Sequence, residues 1–265
     1  MHQRRQGHGN PRYLQQRTGR PEFRSECMHC AFRKTCLPAE LSDSEIGQFE
    51  QIVAHPPLVR ADRSLQWPGN APHAVFAIRA GAVKTFLSRR DGEEQITGLR
   101  LAGEVVGLEN LGGGSTESGI QTLQHTLLCR IPLVPLSRLL GSLPGLQHRV
   151  FSLLSHEIYQ ELELIREIAG RRADQRLAYL LLDISQRGAR NGGLTERFEL
   201  PLRYRELADY LGLAHETVSR LFKRFEEKGL VQTAGRQVRI ADFEALARLA
   251  GEQGLAESHS KQHGR

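Results

Sequence analysis

The chain has 265 residues, 39% of them hydrophobic, a formal net charge of +6 and a sequence pI near 9.4. That length supports two modest domains with real cores, and the ordinary apolar content excludes global disorder. The positive balance points to a polyanionic partner, nucleic acid before membrane.

No apolar run reaches the roughly 18 residues of a membrane span, and the Arg- and Gln-rich beginning lacks the apolar stretch of a signal peptide. The expectation is a cytoplasmic protein without a membrane partner. In that compartment clustered cysteines mean metal or redox chemistry more often than disulfides.

Residues 1–26 are polar, with scattered arginines, and read as a disordered basic tail. Then come Cys27, Cys30 and Cys36, three of the four cysteines, spaced C-x2-C-x5-C; the fourth, Cys129, is remote. This spacing matches neither the ferredoxin patterns nor the paired knuckles of a zinc ribbon, and four thiolates suit an iron–sulfur cluster or a tetrahedral Zn site. His29, between two of them, reads as a spacer.

A short helix is expected from residue 42, with Ser42 and Glu45 forming a capping box. Ile46, Phe49, Ile52 and Val53 form its apolar face, and Pro56-Pro57 ends it. From 58 to 132 the pattern turns to short strands at 75–78, 83–87, 95–99 and 126–131, with Asp91-Gly92 as a hairpin turn. Such spacing indicates a small β-barrel or roll.

From 146 to 168 the period is helical. Phe151, Leu154, Ile158, Glu161, Ile165 and Ile168 recur at steps of three and four, a coiled-coil seam that predicts a homodimer. Glu161 either leans out to solvent or, facing its partner copy, keeps the dimer weak and switchable. A second amphipathic helix spans 174–186, ended by Arg187-Gly188, and Asn191-Gly192-Gly193 is a loop.

The stretch 204–211, Gly212 and the stretch 215–226 make a helix-turn-helix, and 231–240 reads as a two-stranded wing. Glu216, Ser219 and Arg220 share one face of the second helix. Arg220 suits guanine O6 and N7, Glu216 suits cytosine N4, and Ser219 suits several bases. His215 and Thr217 flank them in the DNA-facing set, while Lys223 and Arg224 suit phosphates. The polar residues 251–265 follow as a tail.

Nothing reads as an enzyme: there is no nucleotide-binding glycine motif and no nucleophile–base pair at a supporting spacing. A cyclic-nucleotide pocket needs a cation for the phosphate, and residues 111–129 hold no Lys or Arg.

The run Leu211-Gly212-Leu213-Ala214-His215-Glu216-Thr217-Val218-Ser219-Arg220 resembles the recognition segment of the FNR branch of the CRP/FNR transcriptional regulators. Glu93-Glu94-Gln95-Ile96-Thr97-Gly98, Leu101-Ala102-Gly103-Glu104-Val105-Val106-Gly107 and Cys129-Arg130-Ile131-Pro132 resemble its sensor domain. The likeness runs from about residue 27 to about 251. It implies an α+β chain: a Cys-rich segment and cyclic-nucleotide-binding-like β-roll over 27–145, a dimerisation helix over 146–172 and a C-terminal winged helix-turn-helix over 173–250.

It further implies an oxygen-sensing [4Fe–4S] cluster on Cys27, Cys30, Cys36 and Cys129. The loaded protein would bind double-stranded DNA as a homodimer at palindromic TTGAT-type half-sites. Oxygen would convert the cluster to [2Fe–2S], weaken the dimer and release the DNA. RNA polymerase is an implied partner, with residues 89–94 in the contact, and no cyclic nucleotide is expected. Ala31 and Thr35 stand where the family often has Ser and Leu. His215 stands where FNR-like members usually carry Val and CRP-like members Arg.

Overall fold

The computed structural model describes residues 27–88, 93–114, 116–190 and 196–251, without the side chains of 164, 167–169, 189 and 190. The tails at 1–26 and 252–265, the Asp91-Gly92 turn, the Asn191-Gly192-Gly193 loop and the side chain of Ile168 lie outside what is described.

Two short 3-10 turns, Cys27–His29 and Leu37–Glu40, lead into helix α1 (Asp43–Glu50). The Ser42 backbone N–H donates to Glu45 Oε2 at 2.8 Å, the expected capping box. A roll of seven strands follows: β1 (Ser64–Gln66), β2 (Ala74–Ala80), β3 (Ala82–Ser88), β4 (Glu94–Leu101), β5 (Val105–Val106), β6 (Ser118–Thr122) and β7 (Leu127–Pro132). They form two sheets, ordered β1-β6-β3-β4 and β5-β2-β7. Phe76, Ile78, Val83, Val106, Ile120 and Leu128 fill the space between them.

Two glycines are required there. Gly81 turns β2 into β3 at φ +87, and a Cβ on it would stand 2.6 Å from the His125 carbonyl. Gly119 lies flat on Phe86, whose ring a Cβ would approach to 2.2 Å. Antiparallel pairing of β2 with β7 sets Ala77 opposite Cys129.

Helix α2 (Leu133–Ser142) returns the chain to α3 (Pro144–Gly170), 27 residues long, which at 1.5 Å per residue spans about 40 Å. Leu136, Leu146 and Val150 of these helices join Leu37, Ile46, Phe49, Val75 and Ile131 in one apolar cluster beneath the cysteine segment.

Helix α4 (Ala173–Arg190) opens the C-terminal part, followed by β8 (Arg197–Glu199), α5 (Tyr204–Leu211), α6 (His215–Glu227), β9 (Val231–Ala234), β10 (Gln237–Ile240) and α7 (Phe243–Ala250). α4 does not end at Arg187-Gly188. Arg187 donates to Asp183 one turn back at 2.7 Å and to Glu104 of the roll, and these bonds carry the helix through the glycine. The wing has three strands, ordered β8-β10-β9, rather than two.

The core of this part continues onto the roll. Ile96, Leu99, Leu101 and Leu123 pack in the same cluster as Leu181, Leu207 and Leu211. Asp209 Oδ2 accepts the Ile96 backbone N–H at 2.8 Å, and Lys84 Nζ bridges Glu94 and Glu206, each at 3.3 Å. Among the described residues no helix is long and apolar enough to cross a membrane.

Candidate cysteine centre and nucleic-acid interface

Consecutive tight turns coil the segment 27–36. The Arg33 N–H donates to the Cys30 carbonyl at 3.0 Å, and the Cys36 N–H to the Phe32 carbonyl at 2.9 Å. This brings Cys27, Cys30 and Cys36 to one wall of a small cavity of about 30 Å³, and β7 supplies Cys129 on the other. Phe49, Val53 and Ile131 make the rest largely apolar, with Arg33 and Arg79 at its edge.

All four cysteines are free, and Cys27 and Cys129 are each 9% exposed. Burial pushes the Cys27 thiol up to about 12, with the neighbouring thiols and Glu50 adding to it. Burial likewise takes Cys36 to about 12, and Cys129 to about 11 although Arg79 draws it down. The thiols are thus close enough to oppose one another's ionisation, a repulsion that a bound cation reverses. The apolar setting and all-sulfur donor set fit a soft metal centre.

In this arrangement no group of three or more His, Cys, Asp or Glu among the described residues stands in metal-holding geometry. The sulfurs converge on one cavity without adopting a coordination polyhedron.

Several neighbours escaped the sequence reading. His55 Nδ1 lies 3.4 Å from Cys129 Sγ, and Glu50 accepts the Met28 N–H at 3.3 Å. Arg79 enters only because β2 pairs with β7. No local motif marks any of them, since each meets the cysteine segment or β7 through tertiary packing. His29 is exposed.

Along α3, Phe151, Ile158 and Ile165 are 60%, 59% and 63% exposed, a bare apolar stripe. Leu154 is half-buried and packs toward the cluster beneath the cysteines. Glu161 is exposed, and beside it Leu162, absent from the expected seam, is 60% exposed. Heptad counting cannot separate neighbours on a helix whose 3.6-residue turn drifts against a 3.5 repeat.

At the C-terminal end, Gly212 takes the left-handed conformation (φ 62, ψ 44) that only glycine adopts freely, and turns α5 into α6. Tyr204 stacks on Phe222 with centroids 4.9 Å apart, and Val218, Leu221, Phe222 and Phe225 are buried. This packing leaves His215, Glu216, Ser219, Arg220, Lys223 and Arg224 exposed on the outer face, with Thr217 half-buried.

Arg220 Nη2 donates to Thr217 Oγ1 at 3.3 Å, which pre-orients the guanidinium. Arg224 is already engaged, bonding Asp174 of α4 at 2.5 Å and bracing α6. Lys223 has no ion-pair partner among the described residues.

Residues 175–249 match the Crp-like helix-turn-helix domain and residues 58–142 the cyclic nucleotide-binding domain. The chain is 33% identical over 225 residues to the fumarate and nitrate reduction regulatory proteins of Salmonella typhi and Escherichia coli K12, covering 85% of this chain and 90% of theirs.

Among solved structures it resembles FixK2 from Bradyrhizobium japonicum, with a TM-score of 0.67 and 22% identity over 74% of this chain and 97% of that one. A CRP/FNR-family transcriptional regulator from Thermus thermophilus gives 0.60 and 20%, over 76% and 100%. These two likenesses concern the fold. With the sequence relatives and both domain matches, they identify the chain as a DNA-binding transcription regulator of the CRP/FNR family, on the side of the fumarate and nitrate reduction regulatory proteins.

Proposed function

We propose that this regulator is oxygen-responsive, with Cys27, Cys30, Cys36 and Cys129 holding a [4Fe–4S] cluster. The observation that carries this reading is the convergence of all four cysteines, one of them more than ninety residues away, on a single buried cavity. When bound, the cluster supplies a centre whose reactivity toward oxygen depends on the surrounding hydrogen bonds and solvent access.

The chain's own residues do the rest. The three near cysteines lie on a coiled segment and the fourth on β7, so ligation ties that segment to the roll. The apolar stripe of Phe151, Ile158 and Ile165 pairs two copies of α3, and Glu161 keeps that pairing weak enough to reverse. Dimerisation sets two α6 helices about one DNA turn, roughly 34 Å, apart, where Arg220, Glu216 and Ser219 read the bases of TTGAT-type half-sites. His215 and Thr217 lie beside them, and Lys223 takes a phosphate.

Glu93 and Glu94, at the foot of the hairpin whose residues 89–92 lie outside the described set, are assigned to RNA polymerase. Inside the roll, the Gln66 amide hydrogen-bonds both Asn110 and Thr116, and Gln66 also donates to the Ser118 carbonyl at 3.2 Å. Their polar groups are thus satisfied within the chain, which favours the cluster over a cyclic nucleotide as the signal.

The test is anaerobic purification with iron and sulfide analysis, then air exposure while dimerisation and DNA binding are followed. Iron and sulfide that disappear in air together with the dimer and DNA affinity are expected. A colourless zinc protein whose DNA binding ignores air overturns the reading.

A further inference from the structure

One side chain of α3 grips the cysteine segment directly. Arg149 Nε donates to the Cys36 carbonyl at 3.1 Å, and its Nη2 donates to the Thr35 carbonyl. A single planar guanidinium thereby holds two consecutive carbonyls at the last cysteine of the segment.

The approach is built in. Gly145 lets α3 press against the Leu37–Glu40 turn, where a Cβ would stand 2.9 Å from the Glu40 carbonyl. Leu37 and Val150 pack in one apolar cluster beside it. A second polar link here, His148 to Glu40, is loose at 3.9 Å.

Arg149 lines a cleft of about 200 Å³ with Thr35, Leu153, Glu157 and Gln160. This is the inner face of α3, whereas Phe151, Ile158 and Ile165 stand bare on the outer one. Lower on the inner face, Glu157 pairs with Arg100 of β4. The helix is therefore held at two heights, on the roll through Arg100 and on the cysteine segment through Arg149. The Arg100 anchor sits on a strand of the roll, whereas the Arg149 anchor sits on the backbone carbonyls of Thr35 and Cys36.

We propose that Arg149 is the positioning residue that couples the cysteine centre to dimerisation. With Cys36 engaged as a ligand, the Thr35 and Cys36 carbonyls are fixed toward α3, and Arg149 locks the helix in the rotation that presents its apolar stripe to a second copy. With Cys36 released, the turn relaxes, the two acceptors disperse and the helix loses its upper anchor. The proposal rests on the reading of the four cysteines as cluster ligands.

The experiment compares wild type, Arg149→Met and Arg149→Lys, each purified anaerobically. Iron and sulfide content, the visible absorption and its decay in air report the cluster, and sedimentation equilibrium reports the dimer, loaded and cluster-free. Thermal unfolding by circular dichroism reports folding.

The Met variant is expected to hold iron and sulfide as wild type does and to lose its absorption in air at the wild-type rate. Its loaded dimer should dissociate about tenfold more readily, a change of about 1.4 kcal/mol, and so approach the cluster-free protein. The Lys variant, which keeps the charge but not the fork, should fall between them. It also serves as the test if the Met variant folds poorly.

A loaded Met variant that dimerises as wild type does overturns the proposal, and so does one that fails chiefly by losing iron. Failure of the underlying cluster reading shows separately, as a wild-type control without iron and sulfide.

Discussion

Replacing Arg187 by Met tests whether a buried charge holds α4, and with it the DNA-reading helices, on the roll. The Arg187 side chain is only 9% exposed. Its Nε and Nη2 donate to the two oxygens of Glu104 at 2.8 and 2.6 Å, its Nη2 also to the Leu99 carbonyl at 2.7 Å, and its Nη1 to Asp183 at 2.7 Å. Burial pushes the Glu104 carboxyl up, but the Arg187 charge and hydrogen bonds, with the Leu101 N–H and Arg100, outweigh it and hold the carboxyl below its usual range.

Methionine fills similar volume without donors, so Glu104 and the Leu99 carbonyl lose their partner in place. Removing one side of a buried pair costs about 3–5 kcal/mol. Asp183, 30% exposed, regains water, which places the expected loss near the lower end, about 3 kcal/mol. Urea unfolding at pH 7 measures it, and adding Glu104→Gln should restore at least about 1 kcal/mol, because no unpaired carboxylate then remains.

The pH dependence has a definite sign. Glu104 titrates lower in the folded chain, so its stabilisation is present above the unfolded value, about 4.3, and fades as pH falls through the lower folded value. The gap between wild type and variant should be full at pH 7 and narrow in acid. A loss under about 1 kcal/mol, or a gap indifferent to pH, refutes the reasoning.

Three further outcomes are expected. Arg220→Ala should cost about 1–3 kcal/mol and relax preference at one base pair, whereas Lys223→Ala should weaken all sequences alike; binding titrations against single-base variants of the site separate the two. Glu161→Ala should raise the dimer fraction of the cluster-free protein in air, and an unchanged sedimentation profile would sink the idea of a deliberately weakened seam. With Cys27 and Cys36 pushed up to about 12 by burial and Cys129 to about 11, the metal-free chain should lose stability as pH climbs from the ordinary thiol value of 9.0 through these values. Metal loading near neutrality should then release protons, and a stability that stays flat as pH rises from 9.0 to about 12 would contradict the expected loss.

The helix-turn-helix was legible because its signals are local. Gly212 punctuates two stretches of helical period, and the helix bounds Tyr204–Leu211 and His215–Glu227 follow within a residue. The α1 capping box was equally local. Strands β1, β5 and β6 were missed because they are two to five residues long and owe their shape to partners far along the chain. Helices α2 and α7 and the third wing strand escaped for the same reason: their apolar residues make sense only against the surfaces that cover them.

By itself the sequence determined which chemistry was present: a C-x2-C-x5-C segment, a remote fourth cysteine, a long amphipathic helix and an Arg-, Glu- and Ser-bearing face on the second helix of a helix-turn-helix. Spacing along one element is a local property, and short-range periodicity records it. Only the tertiary structure decided that Cys129 faces the other three, that Leu162 rather than Leu154 joins the bare stripe of α3, that Arg224 braces rather than stands free, and that Arg149 reaches the carbonyls of Thr35 and Cys36. Each of these depends on strand pairing and helix rotation across more than thirty residues of chain, where contact is set by the packing of the whole core and by no motif in the neighbourhood.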